Sequence, residues 1–194
     1  MKNIKLLFSL ALSALLFISC SDHKEHAHSE ENHEMTENSQ TSETNIESAI
    51  AVLYPTEGNE TNGQVTFTKM ADGRIKVNAE VYNVTPGKHG FHVHEKGDCS
   101  GKDGKTAGGH FFTNHENHGA LENNETHVGD LGNLEANEEG IAKASFITDK
   151  LSFSGAENII GRGVIVHADE DDTKTQPTGG AGARVACGVI GISK

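Results

Sequence analysis

Tryptophan is absent from this 194-residue chain, proline occurs three times, and there are only eight Phe and two Tyr. Basic residues are also scarce: 16 Lys and Arg stand against 28 Asp and Glu, a net charge of −12. That balance excludes a strongly basic nucleic-acid binder. No run after residue 20 is long and apolar enough to span a bilayer as a helix. Glycine is the counterweight, with 22 residues, about 11% where the average is near 7%. Few aromatics, little proline and abundant glycine argue against long helices. They favour short strands joined by glycine-rich turns.

The negative charge is unevenly spread. Residues 1–20 carry Lys2 and Lys5 and no acid, residues 21–47 carry eight acids and one Lys, and the remainder carries 20 acids and 13 bases. Lys2 and Lys5 precede the apolar run 6–18, which is too short for a membrane span and suits a signal peptide. The run ends in Phe17-Ile18-Ser19-Cys20, which resembles a bacterial lipoprotein box with Cys20 as the lipidated residue. The alternative is ordinary secretion with Cys20 removed. Either way the protein is expected outside the cytoplasm, where a stable disulfide can persist. The lipoprotein reading anchors it in the bacterial cell envelope, facing the periplasm or the outer-membrane surface.

The expected division is a signal peptide over 1–19, a lipidated Cys with a disordered tether over 20–47, and one folded domain over 48–194. The tether is Glu, Ser, Asn, Thr and His with almost no apolar content, too little to bury a core. Its His23, His26, His28 and His33 either capture Zn²⁺ or Cu²⁺ loosely or decorate a solvated spacer. Their irregular spacing fixes no geometry.

From Ser48 the pattern changes to short apolar segments of period two, bounded by turn residues. Strands are expected over 49–54, 64–69, 74–82, 89–95, 129–135, 141–148, 159–167 and 185–192. Eight strands and no amphipathic helix imply an all-β antiparallel sandwich or barrel. Two segments, 96–128 and 168–183, are too long to be simple connections, and loops of that length are usually functional.

Eight of the twelve histidines lie in this domain, several of them grouped. His92-Val93-His94 in a strand sends both imidazoles to one face, either to chelate a metal or as an ordinary surface pair. His110, His118, His127 and Asp130 form a set of three imidazoles and one carboxylate that suits tetrahedral Zn²⁺, with no Cys to make a zinc finger. His167 closes the apolar strand Val164-Ile165-Val166.

Four motifs then converge. Gly90-Phe91-His92-Val93-His94-Glu95, Ala107-Gly108-Gly109-His110-Phe111, His127-Val128-Gly129-Asp130-Leu131-Gly132 and Ala186-Cys187-Gly188-Val189-Ile190-Gly191 resemble the copper/zinc superoxide dismutase family, in order, across residues 49–193. The resemblance implies an eight-stranded Greek-key fold. It implies superoxide as substrate, dismuted to O₂ and hydrogen peroxide by copper alternating between Cu²⁺ and Cu⁺. It assigns copper, one per chain, to His92, His94, His110 and His167. It assigns zinc, also one per chain, to His110, His118, His127 and Asp130, with His110 shared as the bridge. It further implies a Cys99–Cys187 disulfide, Arg184 beside the copper, and Asp171 linking a copper histidine to a zinc histidine. For Asp171 the neighbours Asp169, Glu170 and Asp172 compete. His89 matches a structural position, and the sequence leaves monomer or homodimer open.

Departures from the family are local. The 99–110 stretch is longer than in common eukaryotic members and the loop after His167 is shorter, so Lys102, Lys105 or Lys174 joins Arg184 as a candidate for attracting the anion. His115 has no family role and is expected at the surface. The run Gly179-Gly180-Ala181-Gly182 lacks the Lys-Ser/Thr of a phosphate loop and is read as a tight turn beside the metals. Two other functions use the same residues: copper delivery without turnover, or zinc scavenging by the tail.

Overall fold

The computed structural model describes residues 45–194; the expected signal peptide, Cys20 and the histidines of the expected tether lie outside the described residues. Eight strands follow in order: β1 (Ser48–Pro55), β2 (Asn62–Lys69), β3 (Ile75–Tyr82), β4 (Gly87–His94), β5 (Asp130–Ala136), β6 (Ile141–Thr148), β7 (Gly163–His167) and β8 (Arg184–Ile192). They close into an antiparallel barrel in the order β1-β2-β3-β6-β5-β4-β7-β8. The β3–β6 and β4–β7 pairings are the Greek-key crossings, and closure leaves no free sheet edge.

Alternation makes these segments strands. In β3, Ile75, Val77, Ala79 and Val81 are buried while Lys76, Asn78 and Glu80 face outward. Ala49, Ala51 and Leu53 of β1, Val65 and Phe67 of β2, and Phe91 and Val93 of β4 fill the same interior. Strand β7 departs from the pattern, because all five residues are buried. Val164 and Val166 face the main core, while Ile165 turns outward into a small cluster with Ala107, Cys187 and Cys99. A loop therefore covers the outer face of the barrel there.

Two loops provide that cover. Residues 95–129 include one short 3₁₀ turn, Lys105–Ala107, and run back along the end of β4. The N–H of Phe111 donates to Val93 at 2.9 Å and the N–H of Glu95 donates to Gly109 at 3.0 Å, pairing His94 with His110. A Cys99–Cys187 disulfide, with Cα atoms 5.7 Å apart, fastens this loop to β8. Residues 168–183 fold back on themselves through Ala168–Ala183, Asp169–Ala181 and Asp172–Gly179 backbone bonds.

The expected strand over 159–167 is shorter than the sequence suggested. Residues 159–162 turn instead, with Arg162 N–H donating to the Ile159 carbonyl and Gly161 at φ +80°. Ile159 is fully buried as a plug rather than as part of a ladder.

Candidate metal centre

Because Phe91 and Val93 point into the core, His92 and His94 point out of the barrel, yet both have no exposed surface. The two loops cover them. Strand β4 pairs with β7, which brings His167 beside the same face, and the His94–His110 pairing adds the fourth ring. Ring centroids of His92 and His110 lie 4.0 Å apart, and those of His94 and His110 5.0 Å.

One nitrogen of each ring is engaged. His92 Nε2 donates to Asp171 Oδ2 at 2.7 Å, His94 Nδ1 to the Gly108 carbonyl at 3.0 Å, and His167 Nδ1 to the Gly182 carbonyl at 3.3 Å. Carbonyl oxygens only accept, so these bonds leave a lone pair on the opposite nitrogen. The four remaining atoms, His92 Nδ1, His94 Nε2, His110 Nε2 and His167 Nε2, are buried without a partner. Ligand atoms of the four lie within 4.8 Å of one another. Buried polar atoms are almost always satisfied, and four converging imidazole lone pairs fit a copper ion.

The second set surrounds Asp130. Its Oδ1 lies 2.8 Å from His110 Nδ1, 2.9 Å from His118 Nδ1 and 3.2 Å from His127 Nδ1, and its Oδ2 accepts the Gly119 N–H at 2.9 Å. Three imidazoles and a carboxylate at this range suit zinc. His110 belongs to both sets, with Nδ1 toward one and Nε2 toward the other.

These features coincide with a family match: residues 61–190 fit the sequence model of copper/zinc superoxide dismutase. The chain belongs to that family. It is 40% identical over 162 residues to an extracellular superoxide dismutase [Cu-Zn] of Drosophila melanogaster, covering 79% of this chain and 89% of the relative. Among solved structures, the crystal structure of the clock protein EA4 superposes with a TM-score of 0.71 at 42% identity, covering 77% of this chain and 97% of that one. The enzyme is thus a superoxide dismutase that uses copper and zinc.

Electrostatics separate the two halves of the dismutase site. Burial pushes His94 well below the ordinary imidazole range, His110 down to about 4 and His167 down to about 3. These rings are neutral at pH 7 and offer lone pairs without first losing a proton. His118 behaves differently. Burial opposes its charge, but hydrogen bonds to Asp130 and Asp171 outweigh it and raise His118 to about 9. The Asp130 and Asp171 carboxylates resist burial in turn, held ionised by their histidine partners.

Of the four consecutive acids, Asp171 is the one between the sets. It is 1% exposed, with Oδ2 on His92 and Oδ1 on His118 Nε2 at 2.8 Å. Glu170 instead pairs with Lys88, and Asp172 accepts from Thr175. Gly179 makes room for the linkage: a Cβ there would sit 1.9 Å from Asp171 Oδ1, and its φ of +67° disfavours any side chain. His89 donates no lone pair to the centre. The two nitrogens of its ring lie 2.9 and 2.7 Å from the carbonyl oxygens of His167 and Thr85. His115 is exposed.

A cleft of about 380 Å³ reaches His167, lined also by Thr56, Lys105, Gly182 and Arg184. Arg184 Nη1 and Nη2 donate to the carbonyls of Gly104 and Gly108 at 2.7 and 2.6 Å. Lys102 and Lys105 are partly neutralised by Glu57 and Asp103. Three contributors had no signal in the sequence. Asn133 holds both backbone groups of Asp171, Gln176 holds both backbone groups of His118, and the Arg162 guanidinium lies 3.4 Å over the Phe111 ring. Amides and an arginine outside any motif do not announce such contacts.

Proposed function

We propose that His92, His94, His110 and His167 hold the copper of this dismutase, and that His110, His118, His127 and Asp130 hold its zinc. The convergence of four unpartnered imidazole nitrogens, one of them on a ring whose other nitrogen faces Asp130, carries the assignment. When bound, copper supplies the one-electron Cu²⁺/Cu⁺ couple that dismutation needs. His110 Nε2 is the atom that can hold a proton and release it toward peroxide, since Nδ1 is committed to the zinc side. Arg184 binds the anion at the cleft, and Asp171 couples the orientations of His92 and His118. Replacing His92 by Ala should abolish superoxide consumption while one zinc per chain stays bound. A variant that keeps activity, by metal analysis and a superoxide-consumption assay, would overturn the assignment.

The protein is read as exported and anchored through Cys20, with residues 20–47 as tether and 48–194 as the catalytic domain. The Cys99–Cys187 bridge supports export and leaves Cys20 as the remaining cysteine of three. The extracellular relative from Drosophila melanogaster supports export as well. Labelling with radioactive palmitate should mark the wild type and not Cys20→Ser. A homodimer is supported by the exposed apolar side chains Val52 and Tyr54 on β1 and Val189 and Ile192 on β8. Val52→Asp should then reduce the sedimenting mass by half.

A further inference from the structure

Gln176 lies in the 168–183 loop and is exposed, yet its whole amide is committed. Oε1 accepts the His118 N–H at 2.8 Å, and Nε2 donates to the His118 carbonyl at 3.0 Å. Nε2 also donates to the Lys174 carbonyl at 3.1 Å. A backbone N–H only donates and a carbonyl only accepts, so the amide has one orientation that satisfies both. The side chain thus pairs with His118 much as a neighbouring strand would.

The same loop grips His118 a third time, through Asp171 Oδ1 on Nε2 at 2.8 Å. With backbone N–H, backbone carbonyl and Nε2 all held from this loop, the freedom left to His118 is small. Its Nδ1 is then aimed at the Asp130 set. Thr178, Gly182 and Ala183 of that loop also line the cleft. We propose that Gln176 is a positioning residue for His118, fixing the backbone from which the imidazole reaches zinc and so joining the cleft wall to the zinc set. This rests on the assignment of His118 to zinc.

The test uses the full protein loaded with copper and zinc, as wild type, Gln176→Ala and Gln176→Glu. Glu keeps the acceptor for the His118 N–H and loses the donor to its carbonyl. Zinc release to a chromophoric chelator should be on the order of 10- to 100-fold faster in Gln176→Ala, the usual cost of removing a partner that orients a ligand. The Glu variant should fall between. Co²⁺ in place of zinc should show displaced visible bands in Gln176→Ala, while copper release stays within about two-fold of wild type. Unchanged zinc release with unmoved cobalt bands would overturn the proposal. So would equal acceleration of both metals, which marks general loosening. His127→Ala is the control for the underlying assignment: if it kept zinc as wild type does, the ligand set itself would fall, whatever the Gln176 variants did.

Discussion

The guanidinium of Arg184 donates to the Gly104 and Gly108 carbonyls, and the segment it holds runs straight into His110. Thr56 Oγ1 fixes the arginine's own carbonyl at 2.7 Å. Burial lowers the pKa of Arg184, yet a guanidinium stays charged at neutral pH, so the side chain is both a brace and a cation in the cleft. The two roles separate by substitution. Arg184→Ala should lower kcat/KM by about ten-fold or more and flatten its dependence on ionic strength. Arg184→Lys keeps the charge without the fork and should retain the salt slope. Loss of metal in the Ala variant with the salt slope intact would assign the residue to bracing alone. The family resemblance pointed to Arg184 and, among four neighbouring acids, to Asp171 as the best candidate, but the residues alone did not single Asp171 out. Which acid turns inward depends on the loop's path, set by Thr173 at φ 58° and the glycines at 179, 180 and 182, and no spacing rule encodes that.

Strand positions were legible because period-two burial writes itself into composition, as in β3 and β6. The segment 159–162 was misread because Ile159 and Ile160 continue the apolar run of β7, while the turn that separates them depends on one glycine conformation. The loops were visible as long polar stretches, but not their layout over the barrel's outer face. That layout depends on the disulfide, whose sulfurs sit beside Ala107 and Ile165. The cross-link spans 88 residues of chain, which in the chain-entropy view removes about 4–5 kcal/mol of freedom from the unfolded state. Replacing Cys99 and Cys187 by Ser should therefore lower the urea midpoint of the oxidised protein markedly. It should also loosen the Gly104–Gly108 segment, so copper release should quicken more than zinc release. An unchanged midpoint would show that the loop is held without the bridge.

At the scale of the whole molecule, the metal centre buries several titratable groups in one barrel wall, and the metal-free protein must carry their cost. Burial depresses His92, His94, His110 and His167 below the unfolded imidazole value. Between about pH 6.5 and 4 the unfolded chain binds protons on His110 and His167 that the fold refuses, and His92 and His94 act in the same direction, so stability falls as pH falls through that window. Asp130 and Asp171, held low by their histidines, add a further loss at more acid pH. His118 has the opposite sign: raised to about 9, it contributes stability fully below about pH 6.5 and loses it as pH rises through 9. Each proton corresponds to about 1.4 kcal/mol per pH unit. Several histidines titrate on the acid arm and one on the alkaline arm, so urea midpoints of the metal-free protein should peak near neutrality and fall more steeply toward pH 5 than toward pH 8.5. An acid arm flatter than the alkaline one would contradict the buried neutral state of His92, His94, His110 and His167. Zinc should reverse the alkaline arm, because binding at His118 must displace its proton and becomes easier as pH rises toward 9. Zinc affinity that stayed constant from pH 6.5 to 8.5 would mean that His118 is already unprotonated, and the charge reading of the Asp130–His118–Asp171 chain would fail.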